Sequence, residues 1–130
     1  MQLPSRVWWI LIDMHGGKNS AISKIPSSSS SYAHRDKLLL YQFYDRVFMG
    51  SYPRNGFSLL QGFMASITRT MDASDWGMYI NYADSQLGQD SAQDYYWRQN
   101  LPRLQMIKAA VDPTEVFYNP LGVRPAKPLA

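Results

Sequence analysis

Apolar and polar positions fall along this chain in blocks, and their period changes from block to block. Val7 to Met14 is a run of β-branched, aromatic and aliphatic residues interrupted only by Asp13 and closed by His15-Gly16-Gly17. It predicts a buried strand ending in a turn that needs glycine freedom. Lys18 to Tyr32, with Pro26 and the serine run Ser27 to Ser31, predicts a surface loop. After His34-Arg35-Asp36, the stretch Lys37 to Val47 predicts a second strand. There Leu38, Leu40, Gln42 and Tyr44 share one face and Leu39, Tyr41 and Phe43 the other. Both faces are largely apolar, which is the pattern of a central strand.

Turn signals at Gly50, Pro53, Asn55 and Gly56 then introduce a helical period, with Phe57, Leu60, Phe63, Met64, Ile67 and Met71 on one stripe. The spacing predicts an amphipathic helix over Phe57 to Met71 lying on a sheet. Asp72 to Asp75 ends it, and Trp76 to Asp84 predicts a third strand, with Met78, Ile80 and Tyr82 alternating with Tyr79 and Asn81. On a regular strand the two tyrosines leave on opposite faces. For both to reach one site, the strand has to end near Asn81, and Asn81 and Asp84 can cap turns with their own side chains.

Asp90 to Gln99 predicts a short helix carrying Tyr95, Tyr96 and Trp97. Asn100 is the candidate N-cap of a further helix, with Pro102 in its first turn and Leu104, Ile107 and Val111 as its buried stripe. Asp112-Pro113 stops that helix. Glu115 to Tyr118 reads as a brief extended piece, and the proline-rich stretch from Asn119 onward as an extended tail with no core of its own. The order strand, loop, strand, helix, strand, helix, helix, tail predicts an α+β fold, a sheet with helices on one face.

Composition narrows the function. The chain has 130 residues, 45% hydrophobic and 18% charged, enough for a single domain of moderate core. The absence of cysteine removes disulfides, thiolate catalysis and zinc-thiolate sites together. The net charge of +3 comes from 13 Lys and Arg scattered along the chain, with no run that would track a phosphate backbone, which argues against nucleic acid as a partner. Val7 to Ile12 is too short for a membrane span, and the start of the chain lacks a signal-peptide cleavage pattern. As written, the chain reads as cytoplasmic and as one entered in mid-domain.

No P-loop, Gly-x-Gly-x-x-Gly turn, Gly-x-Ser-x-Gly elbow or His-Glu-x-x-His helix occurs. Two distant histidines without cysteine or spaced carboxylates argue against a metal site. His15, at a strand end, reads either as a structural histidine or as a functional one. Gln42 is an amide among apolar neighbours that must find partners in the protein, water or a ligand. What remains is phenolic acid-base chemistry. A phenol has an ordinary pKa of about 10, so a catalytic Tyr82 needs a cationic or hydrogen-bonding neighbour.

Four segments, in order, resemble one known family: His15-Gly16-Gly17 after a strand, His34-Arg35 opening the next, Tyr79-Ile80-Asn81-Tyr82-Ala83-Asp84, and the stretch from Tyr95-Tyr96 to Pro120. The last contains Asn100-Leu101, Arg103-Leu104, Ile107-Lys108, Asp112-Pro113 and Val116-Phe117. The chain resembles the C-terminal part of the berberine-bridge-enzyme-like FAD-linked oxidoreductases, which have a vanillyl-alcohol-oxidase-type cofactor domain. The resemblance implies an antiparallel sheet of a substrate domain over residues 1–84 and a berberine-like C-terminal segment over 85–130. It implies FAD as cofactor, Tyr82 as catalytic base removing a substrate hydroxyl proton, and hydride transfer to the flavin with peroxide release on reoxidation by dioxygen. Tyr79, Asn81 and Gln42 are then pocket residues, and the substrate is a hydroxylated small molecule such as a sugar, an alkaloid or a polyketide-like product of secondary metabolism.

The chain departs from the family in two ways. Trp97 stands where the family usually has glycine, so an altered turn is expected there. The N-terminal flavin-binding domain, with its phosphate-cradling loop and its histidine and cysteine attachment segments, has no counterpart in this sequence, so a flavin-binding partner chain or missing N-terminal half is implied. The alternative reading is a non-redox binding or partner module, or a truncated product, lacking flavin.

Overall fold

The computed structural model describes residues 6–127. The expectations for residues 1–5 and for Pro128 lie outside them. Strands β1 (Arg6–Met14) and β2 (Leu39–Val47) pair antiparallel through nine residues, from Arg6 opposite Val47 to Met14 opposite Leu39. Cross-strand aromatic stacking adds to the ladder, with Trp9 and Tyr44 rings 4.0 Å apart. At the far end Arg6 grips the Asp45 carboxylate through two bonds of 2.9 and 2.7 Å, and the Tyr52 hydroxyl donates to the same group at 2.8 Å. These donors hold the Asp45 carboxyl below the usual carboxylate range, the bond from Arg6 contributing most.

Helix α2 (Gly56–Thr68) lies on one face of this ribbon, with Phe63 against Trp8 and Phe43 at 5.2 and 5.9 Å. It ends three residues before Met71. In its last turn Ser66 and Thr68 hydroxyls bond back to the Gly62 and Met64 carbonyls at 2.8 and 3.1 Å, a local competition that weakens helix propagation. The fold is α+β, a two-stranded antiparallel sheet with helices. β2, expected to be central, pairs only with β1 among the described residues and leaves its other edge free. Its apolar residues on both faces are therefore only half-buried.

The densest packing is elsewhere. Helices α3 (Gln89–Trp97) and α4 (Leu101–Val111) follow a very short helix α1 (Ala21–Lys24) in chain order. Ala92, Tyr96 and Trp97 of α3 form the core cluster, covered by Met78, Ile80, Leu87, Leu101, Leu104, Leu121 and Val123. The C-terminal stretch is thus not a tail without a core. Leu121 and Val123 pack on α3, Gln89 donates to the Gly122 carbonyl at 2.6 Å, and the Arg124 and Ala126 N–H groups reach Gln93 and Gln105. The expected stripe of α4 is also corrected: Leu104 packs inward, but Ile107 and Val111 are exposed, and Leu101 takes the inner position instead.

Three local expectations fail because hydrogen bonds override them, over long range at Asn100 and at Trp76 to Asp84 and within five residues at Glu115 to Tyr118. Asn100 does not cap α4 with its side chain. Its Nδ2 donates to the Ser27 and Ser30 carbonyls at 2.9 and 3.2 Å, while Arg103 holds the Ser28 carbonyl at 3.0 Å. These bonds hold a 3₁₀ turn at Ser27–Ser29, and earlier in the loop Ser20 Oγ accepts the Ile22 N–H at 3.2 Å to cap the short helix α1 (Ala21–Lys24). Glu115 to Tyr118 is not extended. It turns around Asp112, whose carboxylate accepts the Val116 and Phe117 N–H groups and pairs with Lys108. Trp76 to Asp84 is not a strand but an irregular segment with a 3₁₀ turn at Ile80–Tyr82.

The altered turn expected at Trp97 lies one residue on. Trp97 has φ −117°, whereas Arg98 has φ 45° and ψ −129°, a conformation that favours glycine. The Arg98 side chain offsets that strain by donating to the Ala73 and Trp76 carbonyls at 2.9 and 2.6 Å and pairing with Asp94 at 3.2 Å. Arg98→Ala keeps the strain and loses these bonds, whereas Arg98→Gly loses them but relaxes the backbone. In urea unfolding at equal slope, the alanine variant should be less stable than the glycine variant by about 1 kcal/mol. Equal midpoints would mean the positive φ carries no strain.

A compact monomer of 14.9 kDa exposes about 7,000 Å², yet this chain leaves 9523 Å² accessible. Much of the excess is apolar: Trp8, Ile12 and Met14 on β1 are 54, 59 and 79% exposed, and Phe117 is 83% exposed. Among the described residues no helix is long and apolar enough to cross a membrane.

Candidate functional site

The segment carrying Tyr79, Asn81 and Tyr82 is held at both ends by α3. The Met78 N–H bonds to the Tyr95 carbonyl at 3.1 Å, and the Asp84 N–H donates to the Tyr96 hydroxyl at 3.0 Å. Just before it, Gly77 makes the close approach to His34 possible, since a Cβ there would lie 2.1 Å from the imidazole Cε1. Burial pushes the His34 pKa down, leaving a neutral ring in that contact.

Between these anchors the Tyr82 N–H closes on the Tyr79 carbonyl at 2.9 Å. In a 3₁₀ turn, residues three apart eclipse one another, so the two phenols that a strand would send to opposite faces leave on the same side. Their rings meet edge to face at 5.3 Å and 83°. The Asn81 amide donates to the Tyr79 hydroxyl at 2.7 Å. Tyr79 and Tyr82 both line a cleft of about 650 Å³, and Gln42 lines it too. Asn81 does not line it and reaches it only through Tyr79.

Consecutive residues Leu39 to Phe43, of both strand faces, border this cleft, with Leu60, Met64 and Ile67 of α2 along its apolar side. It therefore runs along the free edge of β2. The arrangement suits an apolar or sugar-like body with its polar atoms turned to the phenols: two hydroxyls, one already accepting a hydrogen bond, and an amide.

A second hollow, of about 740 Å³, borders His34, Arg35, Lys37 and Arg98. All three of these long side-chain cations are already engaged: Lys37 with Asp36 and the Ser74 carbonyl at 2.7 and 2.8 Å, Arg35 with Ser30 Oγ at 2.8 Å, and Arg98 as described. It offers less free chemistry than the first. Among the described residues no group of three or more His, Asp or Glu could hold a metal ion.

Two residues that the sequence reading did not connect to the site belong to its surroundings. Tyr96 bonds the end of the 78–84 segment from 98% burial. Tyr32 places its ring 5.8 Å from that of Tyr79 and its hydroxyl 2.6 Å from His15 Nε2. The available signal was the aromatic character of both positions, which periodicity alone assigns to packing.

The family described as "Berberine and berberine like" matches residues 78–124, which contain the tyrosine pair. The chain is 53% identical to the xylooligosaccharide oxidase of Thermothelomyces thermophilus, over 94% of this chain and 25% of that protein. It superposes on a crystal structure of carbohydrate oxidase from Microdochium nivale with a TM-score of 0.89 at 46% identity, covering 97% of this chain and 27% of the other. A glucooligosaccharide oxidase from Acremonium strictum, described with a 6-S-cysteinyl, 8α-N1-histidyl FAD, is 46% identical with a TM-score of 0.88, over 97% of this chain and 28% of that one. The chain spans about a quarter of the length of the curated relatives it matches.

FAD is named for the Acremonium strictum relative, and the residues described here fit only part of it. The cleft with its phenols and amide fits a reacting ring and substrate. The diphosphate needs a cradle of backbone N–H groups, for which the strand-to-helix turn at Gly16-Gly17 comes nearest. That turn is filled by the chain itself, since a Cβ on Gly16 would lie 2.1 Å from the Lys37 carbonyl oxygen. The phosphates of FAD therefore have no seat among the described residues. The match over residues 78–124, the similarity along nearly the whole chain and the shared fold together place this chain in the berberine-bridge-enzyme-like family of FAD-linked oxidoreductases, as a C-terminal part of such a protein.

Proposed function

We propose that this chain forms the substrate-facing wall of an FAD-linked oxidase that oxidises a sugar hydroxyl, with Tyr82 as the catalytic base. The observation that carries the reading is the 3₁₀ turn that aims the Tyr79 and Tyr82 phenols into one cleft. In this reading residues 1–84 belong to the substrate domain and 85–130 to the berberine-like segment, and the flavin-binding region is supplied by residues outside this chain. The large accessible apolar surface of β1 supports such a covering region. A sugar is favoured over a secondary metabolite because relatives at 45 to 53% identity are named for xylo-, gluco- and chitooligosaccharides.

Tyr82, as its phenolate, takes the proton of the substrate hydroxyl onto Oη as the carbon bearing that hydroxyl loses hydride and becomes a carbonyl. Tyr79 Oη already accepts from Asn81, which leaves its own O–H to donate toward the substrate oxygen or the Tyr82 oxygen. The Gln42 amide can donate to one further substrate hydroxyl and accept from another. The apolar residues of α2 along the cleft exclude water from these bonds and so strengthen them. FAD, when bound, supplies the hydride acceptor and passes the electrons to dioxygen.

The test is peroxide release by the polypeptide that contains both this chain and a flavin-binding region, offered xylo-, cello- and chitooligosaccharides and a panel of hydroxylated aromatic metabolites. Oligosaccharides should turn over and the metabolites should not. Turnover of a metabolite with none of the sugars would overturn the sugar assignment.

A further inference from the structure

Behind the phenol pair lies a second pair that the reaction itself does not use. The Tyr32 hydroxyl and His15 Nε2 are hydrogen-bonded at 2.6 Å, with their rings edge to face at 5.4 Å and 73°. Tyr32 in turn stands edge-on to Tyr79 at 5.8 Å and 83°, and Tyr79 edge-on to Tyr82 at 5.3 Å. Four rings thus run in series from the end of β1 to the cleft. Edge-to-face contacts fix the orientation of a ring as well as its distance, so each ring constrains the next.

The first ring is the best anchored. His15 sits where β1 ends, its N–H on the Leu38 carbonyl at 3.0 Å, and Ser20 Oγ donates to its carbonyl at 3.4 Å. The second is held by three neighbours: His15, the His34 ring at 5.8 Å and the Arg35 guanidinium at 5.7 Å. Burial first, and then proximity to Tyr79, pushes the Tyr32 pKa up to about 12. The phenol stays protonated at neutral pH, so Tyr32 and His15 are joined by a single hydrogen bond whose direction follows the imidazole tautomer. The Tyr79–Tyr82 segment, by contrast, has no sheet ladder to stiffen it.

We infer that His15 and Tyr32 are positioning residues: their hydrogen-bonded pair holds the Tyr79 ring, and through it the Tyr82 phenol, in the orientation that proton removal needs. This rests on the proposed reading of Tyr82 as base. The competing role is simple closure of the loop between β1 and Tyr32. That role would lower stability and leave the chemical step alone.

The experiment uses the flavin-loaded oxidase containing this chain, with whichever of xylobiose, cellobiose and chitobiose turns over fastest, and compares Tyr32→Phe, His15→Gln, His15→Leu and Tyr82→Phe. Misplacement of a reacting group by a fraction of an ångström to one ångström lowers turnover by about 10- to 100-fold. Tyr32→Phe should therefore lower kcat by that factor, with KM within about twofold and flavin absorbance unchanged. His15→Gln, whose amide can still hydrogen-bond the Tyr32 hydroxyl, should retain more of kcat than His15→Leu. If Tyr32→Phe does not accumulate, the comparison of the two His15 variants decides alone. Wild-type kcat in Tyr32→Phe or in His15→Leu, with Tyr82→Phe inactive, overturns this inference and leaves the base intact. Wild-type kcat in Tyr82→Phe overturns the base assignment and this inference with it.

Discussion

Tyr82→Phe in the flavin-loaded oxidase is expected to lower kcat by about 10²- to 10⁴-fold, the usual contribution of a positioned general base. Flavin content should not change, because the substitution removes one oxygen from the cleft and leaves the ring in its edge-to-face contact with Tyr79. KM should move little if the phenol acts mainly in the transition state. The same change at Tyr79 removes the acceptor of the Asn81 amide, so it should affect KM as well as kcat. Anaerobic reduction of the flavin by substrate, followed by stopped-flow absorbance, separates the chemical step from reoxidation. A Tyr82→Phe enzyme whose flavin is reduced at the wild-type rate would remove Tyr82 from the mechanism.

Trp97→Ala is expected to have the largest effect on stability, about 3–5 kcal/mol, as for other buried tryptophans. The core is small: among the described residues the buried apolar side chains are those of Ala33, Ala92, Tyr96 and Trp97. Trp97 is 8% exposed and stands edge-on to Tyr96 at 5.6 Å. Tyr96 holds the Asp84 N–H, and Met78 and Ile80 lean on the same cluster. Emptying this site should therefore loosen the tyrosine segment as well as lower the melting midpoint by more than about 10 °C. Trp97→Phe, which keeps most of the volume, should lose much less. A Trp97→Ala variant that melts with the wild type would mean that the cluster is not what holds α3, α4 and the C-terminal stretch together.

Elements with a local signal were legible in the residue order. A β-branched, aromatic and aliphatic run interrupted only by Asp13 made β1, a run with apolar residues on both faces made β2, and a 3.6-residue period made α2. The four ordered segments identified the family, and with it Tyr82, Tyr79, Asn81 and Gln42 as the residues to look for. Three of these line one cleft, and the fourth is bonded to one of the three.

The remaining features were set by contacts that form only in the folded chain, most of them between residues far apart in sequence. Alternation from Trp76 to Asp84 has the period of a strand, but no neighbouring strand pairs with it. Tyr95 and Tyr96, more than ten residues on, capture its ends and leave a 3₁₀ turn between them. Asn100 has the chemistry of an N-cap, but carbonyls about seventy residues earlier claim its amide. The proline-rich C-terminal stretch has no period at all and still packs, because Leu121 and Val123 meet an apolar cluster made by other elements. Ile107 and Val111 keep a helical spacing and remain exposed, because the described fold offers that face no partner. Periodicity reports what a segment could bury or bond, and only the folded chain determines which partner reaches it first.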